Sequence, residues 1–330
     1  MLFTTEPKKL PGGSPQGTLL GLLLFLILIN DCGFENQATS IGDILTNKKK
    51  KFAPATLHTK YVDDLTILES FDLQKTLVEN PSRPLPDNFH SRLGQKMPPN
   101  QSKVYSQISK IKEYATENEM KLNCKKSKFM FFNPTENFDF DPCLEIEGQH
   151  VDTVEEMRLL GLIFSNDLKW RANTDAMTKK AYARLWMVKR LKVRGANLTD
   201  LIDVYIKQVR SILEFGVPVW NSAITQEETL DIERVQKSFL HIAMGNNYHS
   251  YESALERAEL ESLEARRTKL CLSFAKKAAK HPKHKHWFAP SDSSAPDTRS
   301  EKFTFKKPLC RLTRLKKIPI PYLTGLLNNC

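Results

Sequence analysis

The spacing of apolar positions changes several times along the chain, and each change marks a change of element. From Leu19 to Ile29 the sequence reads LLGLLLFLILI, apolar nearly all round. This predicts a short buried helix over 18–31. The chain enters it through Pro11, Gly12, Gly13, Ser14, Pro15, Gln16 and Gly17, a run too dense in proline and glycine for helix interior. Residues 55–69, ATLHTKYVDDLTILE, place β-branched and aromatic residues on both sides of Asp63-Asp64. That predicts two short strands around a tight turn. Pro81, Pro84, Pro86, Pro98 and Pro99 make 79–102 a loop. Val104, Ile108, Ile111, Tyr114 and Ala115 then recur at helical spacing from Ser102 to about Asn118. Strands are expected at Phe129–Phe132, ended by Asn133-Pro134, at Leu144–Ile146 and at Leu159–Phe164.

From Asp175 onward the period is helical. Ala176, Met177, Ala181, Leu185, Trp186 and Val188 mark one face, and Gly195 ends the helix. Thr199 is the expected cap of a helix reaching about Phe215, with Asp200 and Asp203 in its first turn. Thr225 and Glu228 have capping-box spacing before a helix that Gly245 stops. A last long helix covers Leu260–His281. After His281-Pro282 the sequence turns polar, proline-rich and basic, the composition of a disordered tail. The expected organisation is α+β: a mixed region over 1–170, a helical region over 171–287, and a tail over 288–330.

Charge sharpens this division. The chain of 330 residues carries a net charge of +11, with 49 Lys+Arg against 38 Asp+Glu. Residues 1–170 hold 20 basic against 22 acidic residues, and residues 171–330 hold 29 against 16. A basic half on a neutral half fits a polyanion held by the second half; a solvated lysine-rich surface is the alternative. Six scattered cysteines without a CxxC pair argue against a disulfide scaffold and a structural zinc site. They are compatible with an intracellular, reducing setting in the nucleus or cytoplasm. The apolar run of eleven residues is short of the roughly 20 a membrane span needs. Lys8 and Lys9 precede it as in a signal peptide, but no small-x-small cleavage site follows directly, so a buried helix and a chain that is neither secreted nor membrane-bound are expected. His281, His284 and His286 lie beside Trp287. Their irregular spacing favours a basic surface segment over zinc.

Two adjacent aspartates on a hairpin form a compact anionic site, and hard cations such as Mg²⁺ prefer carboxylate oxygens. Three further segments accompany this one in a fixed order. Gly13-Ser14-Pro15-Gln16-Gly17-Thr18-Leu19-Leu20-Gly21 precedes Leu24-Phe25 and Ile29-Asn30-Asp31; Glu117-Asn118 leads through Lys121-Leu122-Asn123 to Lys126-Ser127-Lys128. Arg158-Leu159-Leu160-Gly161-Leu162 is followed by Asp167-Leu168 and Trp170. With Tyr61-Val62-Asp63-Asp64, these four blocks resemble the successive blocks of the reverse-transcriptase palm, in the form found in non-LTR, LINE-type retrotransposons. The resemblance spans about half the chain.

That resemblance implies a partial right-hand polymerase palm, an antiparallel sheet with packed helices, followed by an all-α thumb and connection. It implies RNA-directed DNA synthesis with RNA template, DNA primer and dNTP as partners. Asp63 and Asp64 would hold Mg²⁺, and Lys126 would protonate the departing pyrophosphate. Ser14, Pro15, Gln16 and Gly17 would bear on nucleotide and template. Leu159, Leu160 and Gly161 would grip the primer. On the helix beyond, Lys179, Lys180, Arg184, Lys189 and Arg190 would meet phosphates. Lys126 reads equally well as a surface lysine, and Leu159-Leu160 as core. Tyr182 and Trp186 could touch nucleic acid, though core packing is the preferred reading.

The sequence departs from the family pattern at Leu22, where proline is usual. The family's first metal aspartate lies some tens of residues upstream of the Gly13–Gly21 block, and no such acid-bearing strand stands before it here. The expectation is therefore a fragment lacking fingers and one metal carboxylate, whose partner could be the upstream part of the same element's polyprotein. The alternative is a catalytically dead nucleic-acid-binding remnant. The expectation for this chain alone is no Mg²⁺-dependent primer extension, which separates the two readings. Extension that disappears in Asp63→Ala would overturn that expectation.

Overall fold

The computed structural model describes residues 56–61, 64–69, 103–118, 120, 122–132, 144–146, 148–282, 284–291, 304–306 and 316–329. The loop carrying Ser14, Pro15, Gln16 and Gly17, the helix expected at 18–31, and Asp63 lie outside the described residues. The chain divides into two compact units: Met1–Phe129 with Thr135–Thr153, and Met130–Pro134 with Val154–Cys330. Both helices and small sheets occur, so the class is α+β.

In the first unit, strands β1 (Thr56–Tyr61) and β2 (Asp64–Glu69) pair antiparallel from Thr56↔Glu69 to Tyr61↔Asp64. Helix α1 (Lys103–Glu117) falls where its period predicts and buries Ile108, Ile111 and Ala115. The 3.6-residue repeat puts those three on one face. Four very short strands follow. β3 (Lys128–Phe129) pairs parallel with β6 (Asp152–Thr153), and β4 (Glu145–Ile146) pairs antiparallel with β5 (Gln149–His150). The strand expected over Phe129–Phe132 thus ends at Phe129. Its partner stops at Thr153, so no ladder remains for residues 130–132. Ile108, Cys124, Leu144, Ile146 and Val151 form the small core, with Ile67, Leu122 and Phe129 packed on it.

The second unit opens with strands β7 (Glu156–Leu159) and β8 (Leu162–Ser165), paired antiparallel with Leu159 opposite Leu162. The single strand expected over Leu159–Phe164 is therefore a hairpin whose turn falls inside that segment. Helix α2 (Arg171–Val193) follows. Helix α3 (Leu198–Val204) runs on through a π segment (Tyr205–Arg210) into α4 (Ser211–Leu213). Then come α5 (Val217–Trp220), α6 (Gln226–Met244), α7 (Tyr251–Ala258) and α8 (Leu263–Lys280). The hairpin, grouped with the mixed region on sequence, packs with these helices: Leu162 belongs to their core.

That core is built around α6. Ile232, Val235, Phe239 and Leu240 of α6 are fully buried beside Ala181 and Val188 of α2, Leu201, Tyr205, Trp220 and Cys271. Each side chain so buried contributes roughly 1.5–3 kcal/mol. A polar chain crosses the apolar interior. Tyr205 Oη donates to Gln236 Oε1 at 2.7 Å, and its ring stacks on Phe239 at 4.0 Å. Gln236 Nε2 donates to Tyr251 Oη and to the Glu261 carbonyl at 2.9 Å. Tyr251 Oη donates in turn to Glu233, which also accepts the Leu263 amide. Burial, and then the link to Glu233, push the Tyr251 phenol up. Burial alone pushes the Cys271 thiol up to about 11, which keeps it in its unreactive form.

Four boundaries differ from the sequence reading. Helix α2 begins at Arg171 rather than Asp175, because buried Asn173 and Thr174 are held by partners elsewhere in the fold. Asn197, not Thr199, caps α3, accepting the Asp200 amide on its side chain. The expected Leu260–His281 helix starts at Leu263, after α7, and is capped by Ser262. Finally, residues 319–328 of the expected tail are a helix, α9 (Pro319–Asn328), with Leu323 buried in the same core. Its apolar run, Ile-Pro-Tyr-Leu-Thr-Gly-Leu-Leu, supplies the face that a basic tail lacks. The Thr225–Glu228 capping box at the head of α6 is present as expected. Among the described residues no helix is long and apolar enough to cross a membrane.

Because one side-chain oxygen satisfies a first-turn amide, Asn197→Ala is expected to lower unfolding stability by about 1 kcal/mol. Thr199→Ala should leave it nearly unchanged. Urea denaturation of the two variants checks this, and the reverse order would return the cap to Thr199.

Candidate nucleic-acid interface

Two of the expected catalytic positions fall on described backbone of the first unit. Asp64 is the first residue of β2 and pairs with Tyr61 at the end of the ladder; Asp63 lies outside the described residues. Lys126 is exposed in a turn over 124–126, its amide bonded to Asn123. The two segments share one anchor, since Ile67 of β2 packs on the cluster that contains Cys124. Among the described residues no group of three or more His, Cys, Asp or Glu is gathered for a metal.

The second unit carries the better-defined surface. The β7–β8 turn consists of Leu160 and Gly161, with φ of 48° and 89°. Positive φ at both central residues is the turn that best matches strand twist. Gly161 is required twice over: its φ lies in the left-handed region, and a Cβ there would meet the Phe215 ring at 3.0 Å. Leu160 is 45% exposed and Phe215 54%. An apolar tip thus faces solvent, braced from behind by a residue the sequence reading did not single out. Leu160 is not core; Leu159 is half-buried.

The joint from this hairpin into α2 is rigid for local reasons. Ser165 Oγ lies 2.6 Å from Asp167 Oδ1 and 2.7 Å from the Lys169 carbonyl. Asp167 also accepts the Lys169 amide at 2.9 Å, an Asx turn that lets Leu168 sit at φ 57°. Burial raises the Asp167 carboxyl, but the hydrogen bonds from Ser165 and Lys169 outweigh it and hold it down to about 2. Trp170 then lies against Phe164, with ring centroids 5.1 Å apart. One turn into α2, Asn173 Oδ1 accepts the Ile163 amide of β8 at 3.1 Å. Asp167 and Trp170, read from sequence as companions of the Leu159–Gly161 block, set the angle between hairpin and helix.

Helix α2 then presents two opposite faces. Met177, Ala181, Leu185 and Val188 are buried. Lys179, Tyr182, Trp186, Lys189, Arg190 and Val193 lie on the far side, all exposed. Tyr182 is 42% exposed and Trp186 61%, which overturns the core reading of both. The sequence reading placed Trp186 with the apolar face because it adjoins Leu185. At 100° per residue it lies on the other side. Arg190, one turn on, sits over the Trp186 ring at 4.7 Å. Lys180 and Arg184 share a flank of the same helix. Some cations elsewhere in the unit are neutralised internally: Arg171 pairs with Asp175 and Asp231, and Arg266 and Arg210 with Glu214. Among the described residues Lys179, Lys180, Arg184 and Lys189 have no carboxylate partner.

A second basic row was missed on sequence. Lys269, Lys276 and Lys280 follow one face of α8 and, with Leu272, Ser273 and Lys277, line an open groove. Spacings of seven and four residues in a helix already bury-marked by Cys271 and Ala275 would have disclosed it. Comparison with protein-family models, with curated proteins and with solved structures finds no match.

Asp167→Asn is expected to loosen this joint and lower stability at neutral pH. A carboxyl depressed in the folded state contributes stability that is full above its unfolded value of 3.8 and is lost as pH falls through about 2. The gap between wild type and variant should therefore narrow between about pH 4 and pH 2 in thermal melts. A gap independent of pH would remove the carboxylate from the account.

Proposed function

We propose that this chain is a component of a non-LTR retroelement's RNA-directed DNA polymerase, with the helical unit binding the template–primer duplex. The observation that carries the proposal is the fixed hairpin-and-helix piece. Its apolar tip at Leu160-Gly161 is open, and the helix rising from it carries Lys179, Lys180, Arg184 and Lys189 without internal partners. Cations left free of carboxylates are those able to displace counterions from phosphates. The order of the four sequence blocks supplies the polymerase class. In that class a primer 3′-hydroxyl attacks the α-phosphate of a dNTP and pyrophosphate leaves. Asp63 and Asp64 are the residues that would hold Mg²⁺, which supplies charge neutralisation at the transferring phosphate when bound. Lys126, exposed in its turn, is the candidate proton donor to the leaving group.

A second reading shares the same surface: a nucleic-acid-binding protein of the same retroelement class that does not polymerise. It is favoured by Lys179, Lys180, Arg184 and Lys189, which lie in the helical unit and have no carboxylate partner among the described residues.

Binding of an RNA–DNA duplex to the full chain should weaken steeply with salt and depend little on sequence. The double variant Lys180→Ala, Arg184→Ala should bind less tightly at low salt. Its log–log salt slope should fall by about one for each cation that met a phosphate. Fluorescence anisotropy titrations at several salt concentrations measure both. A duplex affinity that ignores salt, or a slope the double variant does not change, would set the assignment of these cations aside.

A further inference from the structure

We propose that the outer face of α2, centred on Trp186, is a platform for unpaired bases, so that the helical unit also binds single-stranded nucleic acid. The inference rests on the nucleic-acid reading above and goes beyond it, because phosphate contact alone asks for no aromatic residue.

The physical case begins with exposure. Trp186 leaves 61% of its surface in water and Tyr182, one turn before it, leaves 42%. Each is a large ring on a helix whose opposite face already supplies Met177, Ala181, Leu185 and Val188 to the core. Neither ring belongs to the core cluster of the unit, and both leave large apolar surface in water. Helical geometry puts the two about 6 Å apart along one stripe. The stripe ends at Val193, also exposed.

The choice of occupant follows from charge. An apolar stripe meant for another protein's core would be fringed by few charges, since charged residues are depleted at interface centres. Here Lys179, Lys189 and Arg190 lie among the rings. Arg190 lies over Trp186, its guanidinium carbon 4.7 Å from the ring centroid. The acid of this face, Asp175, is neutralised by Arg171. Rings interleaved with cations on a solvent face are the arrangement that binds single strands: each base stacks on a ring while its phosphate meets a cation. A duplex cannot use the rings, because its bases are already stacked on each other.

The test compares three probes on the full chain: a short oligothymidylate, an abasic strand of the same length, and a blunt RNA–DNA duplex. Trp186 lies outside the core, so Trp186→Ala should fold as wild type, and Trp186→Phe retains a stacking face. Trp186→Ala is expected to weaken oligothymidylate binding by roughly five- to 150-fold. It should leave the abasic strand and the duplex nearly unchanged, and Trp186→Phe should recover most of the loss. Several results would overturn the platform. Equal losses on all three probes would make Trp186 a general support of the surface. No loss on the oligothymidylate would make it a bystander. Self-association that Trp186→Ala abolishes, with nucleic-acid binding untouched, would assign the stripe to a second copy of the chain. Salt-dependent duplex binding with a silent Trp186 defeats the platform and leaves the duplex reading standing. A wild-type chain that binds none of the probes defeats both.

Discussion

Everything in the helical unit depends on one packing constraint: α2 has a single face that α6 can bury. Met177, Ala181, Leu185 and Val188 repeat at three and four residues and lie against the fully buried apolar stripe of α6. Once that face is committed, the helix cannot rotate without turning Lys180 or Arg184 toward an apolar interior, which is costly for a charge. The rotation of α2 about its axis is therefore fixed by its core, and the outward direction of Lys179, Trp186 and Arg190 is a consequence. Surface chemistry here is set from behind.

The same constraint passes backward to the hairpin. Asn173 is buried on α2 and accepts an amide from β8, so the hairpin takes its orientation from the helix. The Asx turn at Asp167 and the Phe164–Trp170 contact close the corner between them. At the far end, Phe215 stands behind Gly161, and Gly216 gives room to Leu162 by the same absence of a side chain. Two glycines from distant parts of the sequence let the hairpin approach the end of the α3–α4 helix. The exposed tip is then one end of a continuous support that runs through α2 to the core.

The sequence made legible what is periodic and local. Helix α1, the capping box of α6 and the pairing of the strands on either side of residues 62–63 follow from spacing and turn chemistry within a few residues of one another. The misses have a common cause in long-range partners. Residues 171–174 fell before the helical period read from Asp175 because Arg171, Asn173 and Thr174 find their partners at Asp231, Ile163 and Glu228. Residues 319–328 looked like tail because their apolar content is only useful against α8 and α5, which the local window does not contain. Trp186 was misplaced for a different reason: hydrophobicity was taken as evidence of burial, and a helical wheel alone separates Leu185 from its neighbour. Of the candidate site, Lys179, Lys180, Arg184, Lys189 and Arg190 were legible as charge, while Phe215 and the row of Lys269, Lys276 and Lys280 were not.

Counting charge therefore says less than asking which charges are spent inside the fold. Residues 171–330 hold 29 basic residues against 16 acidic ones, yet several of the arginines serve the fold itself. Arg266 and Arg210 converge on half-buried Glu214, and Arg267, almost wholly buried, donates to Asn221 Oδ1 at 2.8 Å. Arginine suits these places because its planar fork can meet several acceptors while staying charged. Lysine dominates the surface rows instead: Lys179, Lys180 and Lys189 on α2, and Lys269, Lys276, Lys277 and Lys280 on α8, of which Lys269 pairs with Glu261. A strongly hydrated point charge on a flexible stem is a poor structural tie and a good partner for a phosphate that must be held loosely and released. Arg184 and Arg190 are the exceptions on α2, and Arg190 sits over the Trp186 ring. The division of labour between the two cations follows depth in the bundle: arginine where buried or half-buried acceptors converge, lysine for most of the exposed rows.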